Sequence, residues 1–100
     1  MQSLPDQIEQ IQYKAASHFG LTVADLLGPR KCRGHFLARS AAALAARRIP
    51  PRLSLTDLGA FFAGRGHTTM AHAIRSAEAL ESEHGWFAEL VAELDQIGEW

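Results

Sequence analysis

His67, Thr68 and Thr69 stand together in the stretch GRGHTTMAHAIRSAEAL, Gly64 to Leu80, ahead of apolar residues that recur at helical spacing. Such residues are weak inside a helix and favoured at its start, for what their side chains and the freed amides can touch. An imidazole and two hydroxyls both give and accept hydrogen bonds, and threonine methyls pack on thymine methyls, so the trio suits nucleobase edges. Free amides and the positive end of the helix dipole would draw a phosphate to the same place. The same residues would also serve merely to cap the helix, and nothing within the stretch separates the two roles.

Other chemistries fail on spacing. His67 and His72 are five apart, so their imidazoles diverge; a metal pair on a helix needs i and i+4. Cys32 and His35 have a two-residue gap but no second pair to complete a zinc site. Gly28 to Gly34 lacks the Lys-Ser/Thr of a phosphate-binding loop, which argues against an ATPase. Serine, histidine and aspartate are present, but nothing pairs a nucleophile with a base. No enzymatic activity, metal or cofactor is expected. His18 is placed at a helix C-terminus, where the dipole favours it.

The formal net charge of -1 hides a division along the chain. From Gly28 to Ala77, nine basic residues (Arg30, Lys31, Arg33, Arg39, Arg47, Arg48, Arg52, Arg65, Arg75) face one acid, Asp57, a net +8. From Glu78 onward there are seven acids and no Lys or Arg, a net -7. That asymmetry points to a polyanion-binding middle and an acidic, solvated end.

The positioning elements read as helices throughout, six in number, with no alternating strand pattern. The 100 residues, 47% hydrophobic, make one small domain over residues 1–100. Pro5 suits a first turn, Ile8, Ile11, Ala15 and Phe19 follow on one face, and Gly20 ends the helix. Thr22 with Asp25 resembles a capping box for a short helix, Val23 to Leu27. Gly28-Pro29 breaks it, and Arg30 to Gly34 forms a basic loop. An alanine-rich helix from about His35 to Arg48 buries Phe36, Leu37, Ala41 and Leu44 until Pro50-Pro51 stops it. Arg47 and Arg48 are read as complementing its C-terminus, with contact to DNA as the alternative. Ser54 caps a helix through Leu55, Leu58 and Phe62, and Ala63-Gly64-Arg65-Gly66 leads into a helix that buries Met70, Ala73, Ile74, Ala77 and Leu80. Thr68, His72 and Arg75 fall on its other face. Two helices joined by a short glycine turn outline a helix-turn-helix. A last helix, about residues 84–98, is expected to pack Trp86, Leu90, Val91 and Leu94 inward. With one cysteine, no export signal and no membrane span, a soluble cytoplasmic protein is the expectation.

Read together, ADLLGPRKCRG, ARSAAALAARRI and SLTDLGAFFAGRGHTTMAHAI resemble the C-terminal DNA-binding domain (domain IV) of the bacterial replication initiator DnaA. That family carries a GGRDHTTV-type motif after an S-L-x-x-I/L-G helix. The likeness covers roughly Ile8 to Leu80 and takes in the last helix. It implies an all-α domain that places the His67 helix in the major groove of double-stranded DNA, binding as a monomer in the bacterial cytoplasm at the nucleoid.

The resemblance also implies roles for matching residues. His67 and Thr68 fall on residues that read base edges, and Thr69 on a base or backbone contact. Lys31 lies where the family's basic loop sends an arginine into the minor groove; lysine keeps the charge but loses the planar fork. Arg39 falls on a phosphate-gripping arginine. The full expected set is His67, Thr68, Thr69, Lys31 and Thr56 on bases, and Arg30, Arg33, Arg39, Ser40, Arg52, Ser54, Arg65 and Arg75 on phosphates. Thr56 stands where many relatives have proline and Ser40 where they often have glutamine. Gly66 is the largest departure, since it replaces the aspartate of D-H-T-T and removes an acceptor for cytosine.

The expected function is sequence-preferring or relaxed duplex binding at DnaA-box-like sites by a stand-alone module that modulates replication initiation or transcription. Lacking the ATPase region, it could not itself melt an origin. The alternative is a protein-interaction adaptor that kept the fold and lost specific DNA binding. The acidic last helix, or Trp100, would then meet the initiator or another protein.

Overall fold

In the computed structural model, residues 3–98 are described, and Trp100 lies outside the described residues. The described chain forms α1 (Leu4–His18), α2 (Val23–Leu27), α3 (Arg33–Arg47), α4 (Leu55–Ala60), α5 (His67–Glu83) and α6 (Gly85–Gly98), with no strand. The all-α class and the six-helix order are as read from the sequence. No helix among the described residues is long and apolar enough to cross a membrane.

Local chemistry sets most helix ends. The Ser3 hydroxyl accepts from the Asp6 amide, and Pro5 sits in the first turn of α1. At its far end Gly20 takes φ 70, and the Leu21 amide reaches back to the Ala16 carbonyl at 2.9 Å, closing a Schellman motif. Thr22 and Asp25 form a complete capping box, which holds the Asp25 carboxyl below its ordinary pKa because it accepts from the Thr22 amide.

α3 is the axis of the bundle and packs against all five other helices. Every residue from Leu37 to Ala46 is buried, Arg39 and Ser40 included, as befits a helix surrounded on all sides. The alanines Ala41, Ala42, Ala43, Ala45 and Ala46 let its neighbours approach closely. The helix begins at Arg33 rather than at His35, so Arg33 and Gly34 belong to its first turn. Phe36 is half-buried, a correction to its expected core position, because it faces the cleft between α3, the basic loop and α5 rather than the centre.

Trp86 requires a second correction, since it is 45% exposed. The inward face of α6 is Phe87, Leu90, Val91 and Leu94, spaced i, i+3, i+4 and i+7, and one step of about 100° turns Trp86 outward. There it lies parallel to the His18 ring at 6.4 Å and edge-on to Phe19.

Candidate nucleic-acid interface

α4, the following turn and α5 form a helix-turn-helix whose geometry depends on two glycines and an alanine. Phe61 caps α4, and Phe62 drops wholly into the core. Ala63 and Gly64 take φ 60 and φ 73, reversing the chain, and the Gly64 and Arg65 amides both donate to the Gly59 carbonyl at 3.0 and 3.1 Å. A Cβ on Gly59 would overlap the Arg65 carbonyl oxygen and press on Met70. Only glycine there lets α4 meet the turn and the first buried residue of α5.

Gly66 is the N-cap of α5, in extended backbone at φ -72, and no side chain caps the helix. Its first amides therefore keep unmet donor capacity at the positive end of the dipole. His67, Thr68 and Thr69 are exposed around this bare start, while Met70, Ala73 and Ala77 anchor the helix from below. His72 and Arg75 continue the exposed face. A Cβ on Gly66 would meet nothing within 4 Å.

The basic loop is fastened beside that helix start by two arginines. Arg39 donates from Nε to the Leu26 carbonyl at 2.8 Å and from Nη2 to Gly28 and Arg30 at 2.9 and 3.2 Å. Arg65 donates from Nη2 to Gly28 at 2.7 Å, and from Nη1 to Leu27 at 3.2 Å and Phe62 at 2.8 Å. Carbonyls left open at the end of the short α2 thus find donors. Burial lowers the pKa of both guanidiniums from the ordinary value, and the positive neighbour lowers that of Arg39 further. A single cleft of about 320 Å³ is lined by Lys31 from the loop, by Thr69 and His72 from α5, and by Pro29, Phe36, Arg39, Arg65 and Ala73. No acid lines it.

Three expected phosphate ligands are corrected here, Ser40, Arg39 and Arg65. Ser40 is wholly buried in α3 and its hydroxyl has no hydrogen-bond partner, so it cannot meet a phosphate. Arg39 is 8% exposed with its guanidinium bound to three carbonyls, which makes it part of the loop's scaffold. Arg65 is half-buried and occupied in the same way. Arg30, Lys31, Arg33, Arg52 and Arg75 are exposed, as are Ser54 and Thr56 at the start of α4. The Ser54 hydroxyl accepts from the Asp57 amide at 3.0 Å.

Arg47, Arg48, Arg52 and Arg75 line a second groove together with the acid Glu78. Sequence reading placed Arg47 only at a helix end, because a linear pattern cannot show that α3 finishes against α5. Arg48 likewise does more than complement α3: it forms ion pairs with Glu81 at 2.8 Å and Asp95 at 3.1 Å. α6 packs on α1, α3 and α5 and touches neither α2 nor α4, so its exposed acids Glu89 and Glu93 are carried away from the basic loop.

Residues 8–76 match the family model described as bacterial DnaA protein helix-turn-helix. The chain belongs to that family. It is similar to the chromosomal replication initiator protein DnaA of Caulobacter vibrioides, 45% identical over 76 residues, covering 76% of this chain and 15% of the initiator. The DnaA of Cereibacter sphaeroides is 40% identical over 73 residues, covering 73% of this chain and 16% of that protein. The chain thus spans a small part of the length of these relatives. A crystal structure of a DNA replication initiation factor superposes with a TM-score of 0.77 at 28% identity, over 95% of this chain and 29% of that one. The family-model match ends within α5, whereas the structural likeness extends over nearly the whole bundle.

Proposed function

We propose that this DnaA-type helix-turn-helix binds double-stranded DNA with sequence preference and catalyses no reaction. The observation that carries the reading is the bare, exposed start of α5, where His67, Thr68 and Thr69 stand beside a cleft shared with Lys31. α5 enters the major groove, His67 and Thr68 meet base edges, and Thr69 meets a base or the backbone. Lys31 reaches the adjacent minor groove, and Thr56 offers its methyl to a base. Arg30, Arg33, Arg52 and Arg75, with the Ser54 hydroxyl, hold phosphates and set the register. Gly66 supplies no acceptor for cytosine, so the preference is relaxed at one position. The family likeness to replication initiators supports sites shared with an initiator and a modulating role in replication initiation or transcription.

The test is selection of bound sites from random duplexes, with wild type and a His67→Ala, Thr68→Ala protein compared at several salt concentrations. The expected result is an enriched motif that the double variant loses while it keeps salt-dependent affinity. Equal, motif-free behaviour of both proteins would refute base reading, and absence of duplex binding would favour the protein-adaptor reading.

A further inference from the structure

Arg39 and Arg65 come from opposite sides of the basic loop and converge on one atom. Arg39 lies mid-way along the buried axis helix, whereas Arg65 is the residue before the cap of α5. Both donate to the Gly28 carbonyl, at 2.9 and 2.7 Å. Between them they also hold the carbonyls of Leu26, Leu27 and Arg30, so the backbone entering the loop is gripped at four of five consecutive residues. No ion pair to either guanidinium forms among the described residues. Two neighbouring cations bonded to neutral carbonyls repel each other, and the arrangement is kept without a carboxylate that would neutralise a DNA-facing surface.

The consequence concerns geometry. Lys31 follows Arg30 directly, and His67 is two residues from Arg65. A planar guanidinium with its donors in a fixed fork sets direction as well as distance. Resting on the DNA-binding reading above, we propose that Arg65, with Arg39 behind it, is a positioning residue that locks the Lys31 loop to the start of α5, so that both meet the duplex as one rigid unit. Its contribution to binding then passes through Lys31 and does not come from a phosphate of its own.

The proposal is tested by a double-mutant cycle of Arg65→Lys and Lys31→Ala, which keeps the positive charge at residue 65 while losing the fork. Lys31→Ala is expected to weaken duplex binding about tenfold in wild type and less than about twofold in the Arg65→Lys background. Independent effects, each substitution multiplying the other, would overturn it, as would Arg65→Gln lowering the salt slope by about 0.9 with the Lys31→Ala effect intact. A second measurement needs no DNA: in the free protein, exchange of the Leu26 and Gly28 amides, which donate to the Thr22 and Asp25 carbonyls where the arginines grip the backbone entering the loop, should accelerate at least about tenfold in Arg65→Lys while the amides of Leu90 to Leu94 in α6 stay protected. Unchanged loop exchange would refute the lock. Duplex binding absent in wild type, with accelerated loop exchange in the variant, would refute the DNA reading while leaving the lock standing.

Discussion

Arg48 and Glu81 meet through two nearly parallel bonds, Nη1 to Oε2 at 2.9 Å and Nη2 to Oε1 at 2.8 Å, and Arg48 Nη1 also reaches Asp95 at 3.1 Å. One side chain at the cap of α3 thereby ties the last turn of α5 to α6. Both partners of the main pair are about 30% exposed, with side-chain values of 32% and 28%, so solvent screens the pair only in part. Fork-to-carboxylate geometry is the strong form of such a bond.

Removing the fork should loosen the acidic end of the bundle. Arg48→Met is expected to lower stability by about 1 to 2 kcal/mol in urea unfolding, above the range of a fully exposed pair. The bond from Arg48 holds the Glu81 carboxyl below its ordinary 4.5. A depressed folded pKa means that this stabilisation is present above the unfolded value and fades as pH falls through the folded one. Glu81→Gln should therefore flatten the acid limb of stability against pH below about pH 4.5, and an unchanged limb would refute the role given to the pair.

Ser40→Ala should stabilise the protein. The Ser40 hydroxyl is fully buried without a partner, and alanine removes that desolvated group while favouring the helix. A gain of about 1 kcal/mol is expected, or a melting temperature higher by about 4 to 8 °C, with duplex affinity within about twofold of wild type. A tenfold loss of affinity would return Ser40 to the DNA surface.

Gly59→Ala should do the opposite. Its Cβ would overlap the Arg65 carbonyl, which is backbone and cannot swing aside. A loss of at least about 3 kcal/mol is expected, read as a collapsed urea midpoint or as insoluble protein.

Gly66→Asp separates stability from reading. The added side chain finds open space, in a backbone conformation any residue adopts, at an N-cap lacking an acceptor. Stability should rise by a few tenths of a kcal/mol. The selected site should gain a preference for cytosine at one position, worth about 1 to 3 kcal/mol against other bases. An unaltered motif would show that residue 66 does not face the bases.

The salt dependence follows from which cations are free. Among the basic residues from Gly28 to Ala77, Arg39 and Arg65 are bound to carbonyls, Arg48 to acids and Arg47 is half-buried, which leaves Arg30, Lys31, Arg33, Arg52 and Arg75 exposed. If all five neutralise phosphates, log K against log salt should have a slope of about -4 to -5. A slope near zero would remove phosphate anchoring altogether.

Much of this was legible in the linear pattern, because it depends on residues close in the chain. Pro5, the Thr22–Asp25 box, Ser54 and Gly20 mark helix ends through local geometry and bonds spanning five residues or fewer, and the spacing of Met70, Ala73 and Ala77 fixes which side of α5 is buried. The string from Arg65 to Thr69 marks the family for the same reason. Trp86 was misread because periodicity gives an angle without an origin: Phe87 and Trp86 differ by one step, and only packing against α1 and α3 chooses between them.

The sequence by itself determined that this is a helical bundle with a helix-turn-helix, a basic middle and a polar helix start; that no side chain caps this start came from the structure. Only the tertiary structure decided which cations face solvent. An arginine's charge is set by its chemistry, but its partner is set by what the fold brings within about 3 Å. For Arg39 and Arg65 that partner is the Gly28 carbonyl, 11 and 37 residues away, and for Arg48 it is Glu81, 33 residues away. Contacts across such separations exist only once the chain has closed, so composition and spacing showed the charges without showing which of them the fold consumes.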